Sequence, residues 1–118
     1  MKSPAELIAE AKQRIREVSP EEVQAMRERG DTFTLVDVRE PNEWATGHIP
    51  DAVPIPRGTL EWVADERVPR TVPVVVYCAA GGRSALAADT LQGMGYEHVT
   101  SLCGGIVGWA DAGGEIDE

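Results

Sequence analysis

The segment VVVYCAAGGRS, residues 74–84, decides the fold of this 118-residue chain. Four apolar residues, Val74 to Tyr77, run without a polar break into Cys78, and four small residues follow before a helical pattern begins at Arg83. A short, unbroken apolar run rich in β-branched residues is typical of a buried strand. The segment therefore predicts a strand, a tight loop and a helix, with a thiol where the strand meets the loop.

The composition predicts one soluble globular domain, because 42% of the residues are hydrophobic and 26% are charged. The net charge of −9 is concentrated after residue 30, where five basic residues stand against fourteen acidic ones. An acidic domain is a poor match for a phosphate backbone, so nucleic acid is not expected as a partner. There is no run of 18 apolar residues, and the amino terminus lacks the apolar core of a secretory signal. We therefore expect a cytoplasmic protein that does not enter a membrane.

Two cysteines, Cys78 and Cys103, are too few for a disulfide scaffold. They do not form a C-x-x-C pair, and the chain has only two histidines, so neither a zinc site nor any other cofactor is expected.

Two identical capping signals open the chain. Ser3 and Ser19 are each followed by proline and, three residues after the serine, by glutamate, which predicts two helix starts. Leu7, Ala11 and Ile15 place an apolar stripe on the first helix, while residues 15–18 could equally form a short edge strand. The second helix should end at Gly30.

Strand and helix patterns alternate along the rest of the chain. We predict strands over 33–38, 52–55, 74–77 and 98–102, and helices beginning near residues 41, 59, 83 and 106. This alternation indicates an α/β protein with a parallel sheet and helices on both faces.

The loop after the central strand is suited to hold an anion at Cys78. A helix start presents unpaired amides and a positive dipole end, and Arg83 adds a permanent charge, so both favour the thiolate. Gly81 and Gly82 permit the backbone angles of an amide nest. The alternative is a buried, inert cysteine followed by an ordinary turn. The combination of strand, cysteine, small residues and arginine favours a catalytic nucleophile.

Several short motifs follow one another along the chain: DVRE (37–40), EW (43–44), GHIPDA (47–52) with IP (55–56), YCAAGGRS (77–84), and LCGG (102–105) with Trp109. Their order and spacing closely resemble those of the rhodanese (sulfurtransferase) family. The similarity covers residues from about 15 to 112. We accordingly predict an N-terminal helical extension over 1–14, a rhodanese-like domain over 15–114 and an acidic tail over 115–118.

The resemblance implies a rhodanese-like fold, with a five-stranded parallel β-sheet flanked by helices on both faces and an extra N-terminal helix. It also implies that Cys78 carries sulfane sulfur as a persulfide and that Arg83 completes the catalytic loop. The residues expected to contact the substrate are Ala79, Ala80, Gly81, Gly82, Arg83, Ser84 and Arg57.

Three further residues match the family motifs in supporting positions. Asp37 and Arg39 are expected to brace the site and each other, with a plain surface ion pair as the alternative. His48 is expected to form structural hydrogen bonds rather than to act in catalysis. Asp51 stands where the family commonly has glycine, and aspartate tolerates left-handed backbone angles moderately well.

Two side chains have contrasting interpretations. Arg57 follows a predicted strand end and could meet an anionic donor or remain solvated. Cys103 is expected to be buried, with a resolving thiol that accepts sulfur from Cys78 as the sharper hypothesis.

The predicted activity is sulfur transfer from thiosulfate, a persulfide or a polysulfide to cyanide, a small thiol or a protein thiol. The loop C-x-x-x-x-R is one residue shorter than the loop of the related phosphatases and arsenate reductases, and a smaller amide ring suits a single sulfur atom. Two alternatives remain: a sulfur-relay or binding module without turnover, and a phosphatase or arsenate reductase, which the loop length disfavours. The remaining candidate partners are a second copy of the chain and a protein acceptor.

Overall fold

The computed structural model describes all 118 residues and contains one five-stranded sheet in which every neighbouring pair is parallel. The strands are β1 (Arg16–Val18), β2 (Thr34–Asp37), β3 (Val53–Pro54), β4 (Val74–Tyr77) and β5 (Val99–Leu102). Their spatial order is β1-β5-β4-β2-β3, so β4 is the central strand. The predicted α/β architecture is confirmed.

Six helices surround the sheet. They are α1 (Pro4–Arg14), α2 (Pro20–Arg29), α3 (Pro41–Thr46), α4 (Leu60–Arg67), α5 (Gly82–Gly93) and α6 (Gly105–Asp111), with a single 3-10 turn over Arg57–Thr59. None of them combines the length and the apolar character that a membrane-crossing helix requires.

Local sequence explains where the first helices begin and end. The Ser3 side chain accepts from the Glu6 amide, and Ser19 accepts from the Glu22 amide, so both predicted caps are confirmed. Gly30 ends α2 in the left-handed conformation, with φ of 75°. Asp51, at φ of 69°, is the one residue other than glycine with a positive φ, which explains why glycine would suit that position.

The two edge strands are short, as their sequences require. Residues 16–18 form β1 rather than an extension of the first helix, and they pair with β5. At the other edge, β3 contains Pro54, whose missing N–H limits pairing to one neighbour.

Alternate residues of β4 face two separate cores. Val74, Val76 and the adjoining Cys78 pack with residues of α4 and α5. Val75 and Tyr77 pack in a second core that includes Val23 of α2 and Trp109 of α6. Since each face is covered by helices, the strand reads as a continuous apolar run. Its direction carries Cys78 to the carboxyl edge of the sheet.

The N-terminal helix α1 packs on α5 and not directly on the sheet. Ala11 is fully buried, whereas Leu7 remains 45% exposed, so the predicted apolar stripe is covered only in part. Arg14 donates to both carboxylate oxygens of Asp89 on α5, at 3.0 and 2.7 Å. This ion pair joins the extension to the helix that begins at the cysteine loop.

The acidic tail folds back onto the domain. His48 and Asp117 exchange backbone hydrogen bonds of 2.9 and 2.8 Å, and Trp109 Nε1 donates to the Glu115 carbonyl at 2.8 Å. The tail therefore lies against the segment that follows α3.

Candidate active site

Cys78 lies at the carboxyl end of β4 and is 1% exposed. Two backbone amides donate to its Sγ, from Gly81 at 3.1 Å and from Ser84 at 3.3 Å. The Ser84 hydroxyl oxygen is 3.4 Å from the same sulfur. Charge on a sulfur atom in this position is stabilised by the amides and by the start of α5.

The predicted amide nest is present in outline. Gly81 has φ of 114°, a conformation that glycine adopts without strain, and it turns the chain into α5. The amides of Ala79, Ala80, Gly82 and Arg83 donate no hydrogen bond within the chain. Four free amides beside a helix start are a set of donors for an anion.

The segment that begins at Gly104–Gly105 packs against the backbone of the cysteine loop and donates hydrogen bonds to it. The Ile106 amide donates to the Cys78 carbonyl at 2.9 Å, and the Val107 amide donates to the Ala79 carbonyl at 3.2 Å. A Cβ atom at Gly105 would lie 2.4 Å from the Ala79 oxygen and 2.5 Å from the Cys78 oxygen. The backbones can approach this closely because residue 105 has no side chain.

Arg83 does not bond to the sulfur in this structure; it forms an ion pair with Glu43 of α3. Its two terminal nitrogens donate to the two carboxylate oxygens at 2.7 and 3.0 Å. The Arg83 hydrogen bonds, helped by the Glu40 amide, lower the pKa of Glu43 from 4.5 to about 2. Glu43 is therefore a site residue that was not among the predicted ones, although it lies in the EW motif quoted above.

Replacing Glu43 with glutamine should make the stability difference from the parent depend on pH. The lowered pKa means that the ion pair stabilises the fold above pH 4.5 and loses its effect as the pH falls from 4.5 to about 2. We expect Glu43→Gln to lower the free energy of unfolding by about 1 kcal/mol at neutral pH, because partial exposure screens the pair.

Urea denaturation at several pH values measures this difference. Glu28→Gln, at an exposed position of α2, is the matched control and should change stability little at any pH. A Glu43→Gln deficit that stays constant down to pH 2 would contradict the assignment.

Asp37 and Arg39 form a buried unit beside the loop. Asp37 is 1% and Arg39 is 7% exposed, so the alternative of a surface ion pair is wrong. Arg39 donates to Asp37 through Nε at 3.1 Å and through a terminal nitrogen at 2.9 Å, and it also donates to the Gly47 carbonyl at 2.6 Å. The pair thereby ties the end of β2 to the segment after α3. Burial and the neighbouring Asp37 raise the pKa of Tyr77, whose hydroxyl accepts from the Ile49 amide.

His48 packs against Trp44 of α3. Its ring stacks on Trp44 with a centroid distance of 3.6 Å, and Nδ1 is 3.2 Å from the Trp44 carbonyl oxygen. These contacts agree with the hydrogen-bonding role expected from the sequence.

Arg57 lies at the same edge of the sheet but bonds elsewhere. It donates to Glu61 at 3.1 Å and to the Thr90 hydroxyl at 3.0 Å. The structure therefore does not bring it together with Cys78, and its contact with a substrate stays a prediction.

Cys103 is exposed, so the expectation that it is buried was wrong. Strand β5 ends at Leu102, which points into the core, and Cys103 begins the turn to the glycine pair. Its amide donates to the Val18 carbonyl at 2.8 Å, and its side chain lies in solvent.

A cleft of about 610 Å³ lies away from the cysteine loop. It is lined by residues at the opposite end of the sheet, including Arg16, Val74 and His98. We place the site at Cys78 on chemical grounds, because amide donors converge there on a nucleophile. No three metal-ligating side chains lie together anywhere in the structure.

Known proteins resemble this chain in sequence. The sequence model of the family described as "Rhodanese-like domain" matches residues 19–112. A sulfurtransferase from Allochromatium vinosum is 35% identical over 99 residues, covering 84% of this chain and 92% of the relative. The thiosulfate sulfurtransferase GlpE from Pseudomonas syringae pv. syringae is 37% identical over 93 residues, covering 78% and 84%. The probable adenylyltransferase/sulfurtransferase MoeZ of Mycobacterium tuberculosis is 35% identical over 96 residues, covering 79% of this chain but 24% of MoeZ.

A solved structure extends the likeness to the N-terminal helix. RPA3614 from Rhodopseudomonas palustris, a protein of unknown function described as a possible tyrosine phosphatase, superimposes with a TM-score of 0.91 at 34% identity. The superposition covers 99% of this chain and 96% of that one. With the family match spanning most of the residues, the cysteine loop and the parallel sheet have a common explanation: the chain belongs to the rhodanese-like domain family.

Proposed function

We propose that this protein is a sulfurtransferase that carries sulfane sulfur as a persulfide on Cys78. Relatives named sulfurtransferases support the general class of reaction. The observation that carries the proposal is the loop after Cys78, in which the Gly81 and Ser84 amides donate to the sulfur and the amides of Ala79, Ala80, Gly82 and Arg83 are free. Such donors suit an anionic sulfur held covalently at this point.

The first half-reaction loads the cysteine. The Cys78 thiolate attacks the sulfane sulfur of thiosulfate, a persulfide or a polysulfide and forms a new S–S bond. The S–S bond of the donor breaks, and its electron pair leaves with the donor, as sulfite when the donor is thiosulfate. The product is a Cys78 persulfide anion whose outer sulfur faces the loop amides.

The second half-reaction removes the outer sulfur from the Cys78 persulfide. A thiophile such as cyanide, a small thiol or a protein thiol attacks the outer sulfur, and the S–S bond breaks with its electron pair returning to Cys78. The thiolate is thereby regenerated. No general base is needed at the sulfur, because the amides stabilise the thiolate directly.

Intact-mass measurement after incubation with thiosulfate, with a glutathione persulfide and with polysulfide tests this function. We expect an added mass of one sulfur atom on Cys78, removed by subsequent cyanide treatment. Failure of all three donors to add sulfur to the folded protein would overturn the proposal.

A phosphatase is the second candidate, because RPA3614 is described as a possible tyrosine phosphatase. Two features of this chain oppose it. The loop from Cys78 to Arg83 is short, and Arg83 is engaged by Glu43 rather than free to bind oxyanion oxygens. Hydrolysis of an aryl phosphate that depends on Cys78 would favour the phosphatase instead.

If the protein acts as a sulfur-relay module, its acceptor is a protein thiol. MoeZ, named as both adenylyltransferase and sulfurtransferase, joins a similar domain to a much longer chain. A separate acceptor protein, or a second copy of this one, would supply the thiol here, and a cytoplasmic setting would keep it reduced. Transfer of labelled sulfur from Cys78 to a protein thiol, with no turnover towards cyanide, distinguishes a relay module from an enzyme.

Cys103→Ser should leave sulfur loading and release within about twofold of the parent. The Cys103 side chain is exposed and makes no hydrogen bond to the loop, so its removal leaves the amide donors in place. Persulfide turnover measured with thiosulfate and cyanide checks this. A severe loss would instead support the hypothesis of a resolving thiol.

A further inference from the structure

Two buried serines form a chain of polar contacts that begins at the Cys78 sulfur. Ser84 of α5 and Ser101 of β5 have no exposed surface, and their hydroxyl oxygens are 2.8 Å apart. Ser84 Oγ is in turn 3.4 Å from the Cys78 sulfur. We propose that Ser101 is a positioning residue that directs the Ser84 hydroxyl towards the Cys78 thiolate, an inference that rests on the proposed role of Cys78 as sulfur carrier.

The hydrogen bonds of the thiol state set the starting point. The Cys78 S–H donates to Ser84 Oγ, and the Ser84 hydroxyl donates to the Gly81 carbonyl at 3.2 Å. Because the single Ser84 proton points at the Gly81 carbonyl, Ser101 is the donor across the 2.8 Å contact between the two hydroxyls. The sulfur also accepts from the Gly81 and Ser84 amides.

Loss of the thiol proton changes what the sulfur requires. A thiolate can only accept, so the Ser84 hydroxyl has to turn from the Gly81 carbonyl to the sulfur to become its third donor. The Gly81 carbonyl does not lose its last partner, because the Ala85 amide also donates to it, at 3.1 Å. The rotation therefore leaves no buried carbonyl unsatisfied.

Ser101 completes the rearranged network. Once the Ser84 proton points at sulfur, Ser84 Oγ no longer receives the thiol proton. The Ser101 hydroxyl, 2.8 Å away and fully buried, is then its remaining donor and keeps the Ser84 proton directed at the sulfur. Chains of hydrogen bonds strengthen one another in a buried setting, so the Ser101 bond makes Ser84 a better donor to the thiolate.

The charged groups around Cys78 are separate from this network. Arg83 of α5 and its partner Glu43 of α3 lie on one side, and the Asp37–Arg39 pair lies after β2. Removal of the Ser101 hydroxyl leaves all four in place. A change in the ionisation of Cys78 would then report the hydroxyl network.

The test is a pH titration of thiolate absorbance in a Cys103→Ser background, where Cys78 is the only thiol. Ser101→Ala should move the midpoint of thiolate formation upward by about half to one pH unit. Ser101→Thr retains the hydroxyl and should return the midpoint towards the parent value. Thr100→Val, which removes the neighbouring hydroxyl of β5, is the control and should leave it unchanged. An unchanged midpoint in folded Ser101→Ala would overturn the inference.

A second comparison does not need the single Ser101→Ala variant, because removing both hydroxyls together leaves neither of them without its partner. In a Ser84→Ala background the intermediate hydroxyl is gone, so adding Ser101→Ala should produce no further change in the midpoint. A further upward shift would show that Ser101 acts otherwise than through Ser84 and would overturn the inference. The titration needs no sulfur donor. A protein that shows these shifts yet never takes up sulfur would refute the proposed function and leave the network intact.

Discussion

Cys78→Ser will abolish sulfur loading: incubation with thiosulfate, persulfide or polysulfide will add no mass, and transfer to cyanide will fall to the uncatalysed background. The physical reason is that a serine hydroxyl is not ionised in this setting, so it cannot attack the sulfane sulfur, and without a sulfur atom it cannot form the S–S bond of a persulfide. The serine oxygen can still accept from the Gly81 and Ser84 amides, so the loop keeps its hydrogen bonds.

The control for this result is Cys103→Ser, which removes the other thiol and should load normally. Circular dichroism and thermal unfolding of both variants establish that loss of loading is not loss of fold. Sulfur uptake by folded Cys78→Ser would transfer the role of carrier to another residue and contradict our assignment.

Gly105→Ala will destabilise the protein by roughly 3–5 kcal/mol and will impair sulfur loading in the molecules that remain folded. Its new Cβ would lie within 2.5 Å of the backbone of Cys78 and Ala79, atoms that cannot move aside without reshaping the loop. The φ of 59° adds the strain of a left-handed alanine. Because a domain of this kind is stabilised by only about 5–15 kcal/mol, this loss is a large part of the total.

Gly30→Ala separates the two contributions. Gly30 has a comparable φ of 75°, but a Cβ there meets nothing within 4 Å. It should cost roughly 1–2 kcal/mol from backbone strain alone and should load sulfur normally. Urea denaturation gives both values. Equal destabilisation at the two glycines would show that the approach of residue 105 to the loop is unimportant.

The features that could be predicted from the sequence are the local ones. The serine caps of α1 and α2 and the run from Val74 into Cys78 each depend on residues close together in the chain. The resemblance to a family then supplied the strand count, which local patterns alone do not fix.

The features that could not be predicted depend on contacts between distant segments. Glu43 and Arg83 are 40 residues apart, and either could have been a solvated surface charge until the fold joined them. The sequence around Ser101 indicates only a strand residue. What distinguishes Ser101 is its hydrogen bond to Ser84 of α5, which only the folded structure shows. Cys103 was misjudged although β5 ends at Leu102 as predicted, because the side-chain direction of a turn residue is not set by the alternation of the strand before it.

The strand order has a consequence for how the domain can vary. From β2 the chain runs towards β3 on one side, whereas from the adjacent β4 it runs towards β5 on the other. The connections that leave these two neighbours therefore diverge, so the point where the strand order reverses lies between β2 and β4 and is produced by the route of the chain. Asp37 ends β2, and Cys78 follows the last residue of β4, so both lie at this point. Substitutions in the helices that cover the sheet can thus change the packing while these two residues keep their place at the reversal.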